Sequence, residues 1–255
     1  MIDIVKLKVK ARKSLSKNYK PLILATIILV GLGLVCSFIG FVTHTDWLSY
    51  VLGVIVDALL MLGFVKMISK AVRGKKVKLE QLFSSTDLFF KYLGLTVILF
   101  VMMAVLFLLA AIAFKSLVVV ITYQAEINYL FSVFLITFGL LLEVLILLVS
   151  LYLVICFSQV LFIMNDDVKL PISKVLSKSF DMMEDYVVDY FLLILSFIGW
   201  FILGIFTFGI LYIWLIPYVM LTCACFYDKV KKEYDNEKKL PNLFNDDDAK
   251  EALKK

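Results

Sequence analysis

Long apolar runs dominate the sequence, and their length restricts the possible folds more than any other feature. The six runs lie at about 21–42, 47–65, 92–114, 130–160, 191–206 and 210–226. A helix of about twenty residues, at about 1.5 Å per residue, crosses a hydrocarbon core about 30 Å thick. With 62% hydrophobic and 18% charged residues, the chain also differs from soluble domains. We therefore predict an all-α, polytopic membrane protein with six transmembrane helices.

The polar segments between these runs are predicted to include amphipathic helices. Residues 1–20 place apolar side chains at helical spacing opposite lysines, a pattern typical of a basic helix on an anionic membrane surface. A signal peptide is the alternative for this start, but the apolar run is too long and no small-residue cleavage site follows. Segments 79–91 and 171–186 are also predicted to be helices. We expect a six-span domain at 21–227 and a charged tail at 228–255, with a short helix followed by disorder.

The distribution of basic residues predicts the orientation in the membrane. Seven of the Lys and Arg residues fall in 1–20, seven in 66–91, three in 165–190 and eight in 228–255, so that 25 of 26 lie on one side of a six-span topology. Cytoplasmic loops carry the excess of Lys and Arg. Both termini are therefore predicted to be cytoplasmic, and anionic lipids are the expected partners at that face.

The region from about Phe157 to Val230 carries motifs that point to a known family. It contains "FSQVLFIMNDD" and "LSKSFDMMEDY", and then a combination of glycine, aromatic and proline residues: Gly199, Trp200, Gly204, Gly209, Trp214, Pro217 and Tyr218. This pattern resembles the bacterial integral membrane family known as domain of unknown function nine-seven-five. The segments "ARKSLSKNY" and "FKYLGLTVILF" fit it more loosely. The resemblance implies a plasma-membrane protein of Gram-positive-type bacteria and a structural role for the motif residues, and it implies no reaction.

Two acids inside apolar runs are the candidate polar site. Asp57 lies ten residues after Trp47, about 15 Å deep and near the midplane, where a lone ionised carboxylate is costly. It is either a functional group, such as a proton relay or cation ligand, or a hydrogen-bonded acid that joins helices. Glu143 is near the midplane only if span four begins near Leu130. No basic residue inside a span is available to pair with either acid.

The sequence provides no set of residues for catalysis, cofactor binding or metal binding. His44 is the only histidine, and the four cysteines lie inside apolar runs, where they are expected to be packing residues. No metalloprotease, serine-hydrolase, nucleotide or dinucleotide motif is present. The basic residues alternate with apolar runs and do not form one face, which argues against nucleic-acid binding.

These observations favour a non-enzymatic protein of the cell envelope that binds lipid, peptide or a partner membrane protein, including a second copy of itself. The alternative is a transporter or channel that uses Asp57, either alone or together with Glu143, in a polar intramembrane cavity. A water-accessible cavity that reaches Asp57 favours transport, whereas close packing around Asp57 favours partner binding.

Overall fold

The computed structural model describes residues 2–84, 88–122 and 128–244, and it contains α-helices and short 3₁₀ turns with no strand in those ranges. The helices, in chain order, are α1 (Ile4–Lys17), α2 (Tyr19–Thr43), α3 (Asp46–Val72), α4 (Phe89–Thr122), α5 (Tyr129–Cys156), α6 (Val160–Asp166), α7 (Ile172–Met183), α8 (Val187–Leu195), α9 (Ile198–Phe206) and α10 (Tyr212–Phe244).

Six helical segments of the described chain are long and apolar enough to cross a membrane, which confirms the predicted all-α, polytopic class. They are α2, α3, α4, α5 with α6, α7 through α9, and α10. Each contains one predicted span, but most of the helices extend beyond it. The chain is therefore a multi-pass membrane protein.

The hydrophobic core lies at one end of the bundle, which we call the basic end because Arg73–Lys78 and α1 are located there. Buried residues of α1, the second half of α3, α6, α7 and the middle of α10 pack together at this end. The apolar face of α1, with Leu7, Ala11 and Leu15 buried, packs mainly against α10. This face therefore contacts protein, whereas the sequence suggested that it lies on the membrane surface.

The segment that follows α3 folds back along that helix. A 3₁₀ turn at Leu79–Phe83 packs against α3 so closely that a Cβ atom added to Gly63 would lie 1.8 Å from the carbonyl oxygen of Leu82. The prediction of helical structure over 79–91 is confirmed at Leu79–Phe83, where the helix is of the 3₁₀ type and docks beside Gly63, and again from Phe89, where α4 begins; residues 85–87 lie outside the described residues. The spacing of Ser84 and Asp87 also predicts a capping box at the start of the helix that leads into the third span, and Asp87 lies outside the described residues.

Helices α4 and α5 pair with each other and make few contacts with the rest of the bundle. Only 6% of the most apolar stretch of α4 is buried, compared with 61% of that of α10. At 34 residues, α4 is about 51 Å long, well beyond a hydrocarbon core of about 30 Å. The α4–α5 hairpin therefore presents most of its side chains to lipid, and α4 must tilt or project beyond the bilayer.

Two of the predicted spans are interrupted. The fourth breaks at 157–159 between α5 and α6, and the fifth breaks at 196–197 between α8 and α9. In each break a serine donates its side-chain hydrogen to a carbonyl three residues earlier, Ser158 to Ile155 and Ser196 to Leu193. Such side-chain bonds compete with the regular helical pattern. The sixth span, predicted to end at 226, continues as one helix to Phe244.

Candidate ligand-binding groove

Asp57 is positioned by α3 and faces α2 and α4. It lies ten residues after Trp47 and nine before Lys66, so that about 15 Å and about 13 Å of helix separate it from these two residues. Its Oδ2 atom accepts a hydrogen bond of 2.5 Å from the hydroxyl of Tyr92 on α4. Tyr92 is buried, whereas the side chain of Asp57 is exposed at the side of the bundle. The acid therefore joins α3 to α4 and keeps one face open.

The open face of Asp57 lines a cavity of about 460 Å³ between three helices. Its walls are Gly33, Cys36 and Ser37 of α2, Thr96 of α4, and Ser49, Tyr50, Gly53, Val54 and Asp57 of α3. Glycines 33 and 53 have no atom of the described residues within 4 Å of an added Cβ, which leaves space beside the carboxyl group. The sequence identified Asp57 as a candidate, but it did not identify Tyr92 or the serine and threonine residues of the cavity wall, which are Ser37, Ser49 and Thr96.

The serine and threonine hydroxyl groups around Asp57 donate their hydrogens to backbone carbonyls of their own helices. Ser37 donates to the backbone carbonyl of Gly33 at 3.0 Å, Ser49 to that of Asp46 at 2.8 Å, and Thr96 to that of Tyr92 at 3.0 Å. Each hydroxyl oxygen keeps lone pairs that can accept a hydrogen bond. The polar part of the cavity therefore presents mainly acceptors.

A second cavity, of about 730 Å³, continues from the first along the gap between α3 and α4. Its exposed lining is apolar, and it is formed by Tyr50, Val51, Val54, Ile55, Leu93, Thr96, Val97 and Phe100. Tyr50, Val54 and Thr96 line both cavities. We call the two together the α3–α4 groove. Both volumes fall in the range of about 300–1,000 Å³ that is usual for small-molecule sites.

Glu143, the second predicted candidate, does not line the groove. It lies in the middle of α5, and its Oε1 atom is buried without a hydrogen-bond partner in the described part of the chain. The structure does not bring it together with Asp57 in one cavity. A polar cavity shared by the two acids therefore has no support from the geometry.

A charged cluster at the basic end joins three helices, and we call it the clasp. Arg73 donates two hydrogen bonds of 2.8 Å to Asp166 and two, of 2.9 and 3.2 Å, to Asp228. Lys231 and Tyr227 also donate to Asp166, at 2.6 and 3.1 Å. Hydrogen bonding to Asp166 raises the pKa of Arg73 further above its usual range, so the guanidinium stays charged. The clasp ties the end of α3 to α6 and α10, and its role is structural.

The motif residues near the last turn form an aromatic stack between α9 and α10. The ring centroids of Trp200 and Trp214 are 6.2 Å apart, and those of Trp214 and Tyr218 are 5.2 Å apart. Gly204 faces the ring of Tyr212, and the nearest ring carbon lies 2.5 Å from the position of a Cβ atom added to the glycine. Gly209 has a φ of +84°, which glycine adopts without strain. These residues close the α9–α10 hairpin and lie outside the groove, as does Pro217 inside α10.

Comparison with known families gives a match over most of the chain. A family model described as "Protein of unknown function (DUF975)" matches residues 1–234. Neither the curated proteins nor the solved structures show a significant match to the chain.

Proposed function

We propose a ligand-binding function for this chain, which belongs to the DUF975 family of proteins of unknown function over residues 1–234. It acts as a non-enzymatic, multi-pass protein of the bacterial plasma membrane, and its ligand is a lipid or another amphiphilic molecule of the bilayer. The observation that supports this proposal is the α3–α4 groove, in which an apolar channel leads to a polar end at Asp57. A peptide or a partner protein that bound in this groove would need an apolar part for the channel and a polar group for the end at Asp57.

The proposed orientation places both termini and the basic end in the cytoplasm. The Lys and Arg residues concentrate in segments that lie on this side of a six-span topology. Lys13, Lys17, Lys75 and Lys76 are exposed there, and a hydrogen bond of 3.4 Å from the Val77 amide to Asn18 joins the two segments that carry them. These lysines attract anionic lipid headgroups, each contributing about 1 kcal/mol near an anionic surface.

A transporter or channel is the second candidate, and one observation favours it. The cavity at Asp57 is open, as expected for a group that exchanges a proton or cation with the surroundings. Against it, Asp57 already accepts a hydrogen bond from Tyr92, and Glu143 lies outside the cavity. Binding of an amphiphile accounts for both the apolar and the polar walls of the groove, and transport of a small ion accounts only for the polar wall.

The test is retention of ligand during purification in mild detergent, followed by mass spectrometry of the bound molecules. Val54 lines both cavities, so Val54→Trp fills the groove. Val144→Trp is the matched control, because Val144 is an exposed valine on α5 outside the groove. We expect a molecule that is retained by the wild type and by Val144→Trp but lost from Val54→Trp. Equal retention by all three proteins, or retention of none by the wild type, would contradict a binding groove at this place.

A further inference from the structure

The polar end of the α3–α4 groove selects the charge of its ligand. We propose that the groove takes a cationic amphiphile, with a protonated amine against Asp57 and an alkyl chain between α3 and α4. This inference rests on the proposed function, because it names the chemical class of the ligand in the same groove.

The hydrogen-bonding capacity of the polar end favours a donor. Asp57 is an acceptor through Oδ1 and Oδ2, and only Oδ2 has a hydrogen bond from the described residues. The hydroxyl groups of Ser37, Ser49 and Thr96 donate to carbonyls of their own helices and keep accepting lone pairs. A protonated amine carries several N–H donors and no acceptor, so it complements these groups.

The charges of the residues that line the groove also favour a cationic ligand. Among the residues that the structure describes, no Lys, Arg or His lines either cavity of the groove. A phosphate or carboxylate headgroup would therefore meet an acid with no compensating positive charge. An acid near the midplane is itself costly to ionise unless a cation pairs with it, and a ligand's amine supplies that cation. The bond between the two is then a charge-assisted one, which is stronger than a neutral bond.

The apolar channel distinguishes a lipophilic cation from a bare metal ion. Metal sites need several ligands, and the described residues contain no group of three or more His, Cys, Asp or Glu side chains that could hold a metal ion. The apolar cavity of about 730 Å³ shares Tyr50, Val54 and Thr96 with the cavity at Asp57. An alkyl chain attached to the amine fills this space and packs against its apolar walls.

The experiment compares three probes that share one chain and differ in headgroup: tetradecylamine, tetradecanol and tetradecanoic acid. Binding is measured to the full chain in nanodiscs of phosphatidylcholine, with empty nanodiscs subtracted as background. Asp57→Asn removes the negative charge, and the amide oxygen can still accept the hydrogen bond of Tyr92. Asp46→Asn is the control, because Asp46 begins α3 and lines neither cavity. Melting temperatures verify that all variants are folded.

We expect the wild type and Asp46→Asn to bind the amine more tightly than the alcohol, and the acid least. Asp57→Asn should reduce the preference for the amine over the alcohol by about 10- to 100-fold. An unchanged preference in Asp57→Asn would overturn the inference. So would competition by sodium or ethylammonium at the concentration at which tetradecylamine competes, because the site would then bind a bare cation.

The proposed function is tested separately by Val54→Trp with the same probes. Loss of all three probes in Val54→Trp, together with an unchanged amine preference in Asp57→Asn, rejects the cation and retains the groove. Undiminished binding of every probe by Val54→Trp rejects the groove itself, and the inference with it.

Discussion

Removal of Asp166 is predicted to destabilise the protein by breaking the clasp. Its side chain is only 10% exposed and receives hydrogen bonds from Arg73, Lys231 and Tyr227. Removing one partner of a buried ion pair costs about 3–5 kcal/mol. Arg73 is 36% exposed and keeps its bond to Asp228, so we expect a smaller loss, of about 2–3 kcal/mol, in Asp166→Ala. For a chain of this size the corresponding fall in melting temperature is about 4–12 °C.

The neighbouring acid provides a matched control. Asp167 is 56% exposed, and its ion pair with Lys178 spans 3.7 Å, so Asp167→Ala should cost about 0–1 kcal/mol. A thiol-reactive fluorogenic dye measures melting, because Cys156, Cys223 and Cys225 are buried away from the groove and become reactive when the protein unfolds.

A double-mutant cycle isolates the contact itself. Arg73→Ala combined with Asp166→Ala should cost less than the sum of the two single variants, because both remove the same pair of hydrogen bonds. Equal melting temperatures of Asp166→Ala and Asp167→Ala, or additive effects of Arg73→Ala and Asp166→Ala, would refute the assignment of the clasp as a stabilising unit.

Three further predictions concern packing, topology and lipid. Gly63→Ala should lower the free energy of unfolding by about 1–3 kcal/mol, and the melting temperature with it, because the new Cβ clashes with the Leu82 backbone. Gly31→Ala should leave the melting temperature unchanged, because no atom of the described residues lies within 4 Å of the new Cβ. A cysteine replacing His44 should react with an impermeant maleimide on intact cells, and one replacing Lys76 should react only after lysis; the reverse would invert the proposed orientation. Lys13→Glu combined with Lys76→Glu should reduce the anionic lipid that copurifies, measured by phospholipid analysis, and an unchanged amount would exclude these lysines from lipid binding.

Much of the architecture could be predicted because the bilayer restricts it. The length of each apolar run requires a helix, since backbone groups in lipid must be satisfied within the segment. Asp57 was identifiable for the same reason, as an ionisable residue in an apolar run. Its partner Tyr92 was not, because the sequence does not specify which faces of α3 and α4 meet.

The ends and interruptions of the helices were less predictable. Ser158 and Ser196 mark the two breaks, but serines elsewhere, such as Ser150, make a similar bond to a carbonyl one turn earlier inside an intact helix. Arg73 was counted only as an orienting charge, since nothing local indicates that Asp166 and Asp228 converge on it. The contacts of Arg73 depend on the packing of helices that are far apart in the chain, and the local sequence does not specify that packing.

A structure of the full chain in lipid nanodiscs would show whether the α3–α4 groove holds a ligand. We expect elongated density in the groove, between Tyr50 and Phe100, with its polar end within hydrogen-bonding distance of Asp57. We also expect that the Tyr92 hydroxyl still donates to Asp57 with the ligand in place. A closed groove, with Val54 in van der Waals contact with Val97 and no density beside Asp57, would contradict the proposed ligand binding.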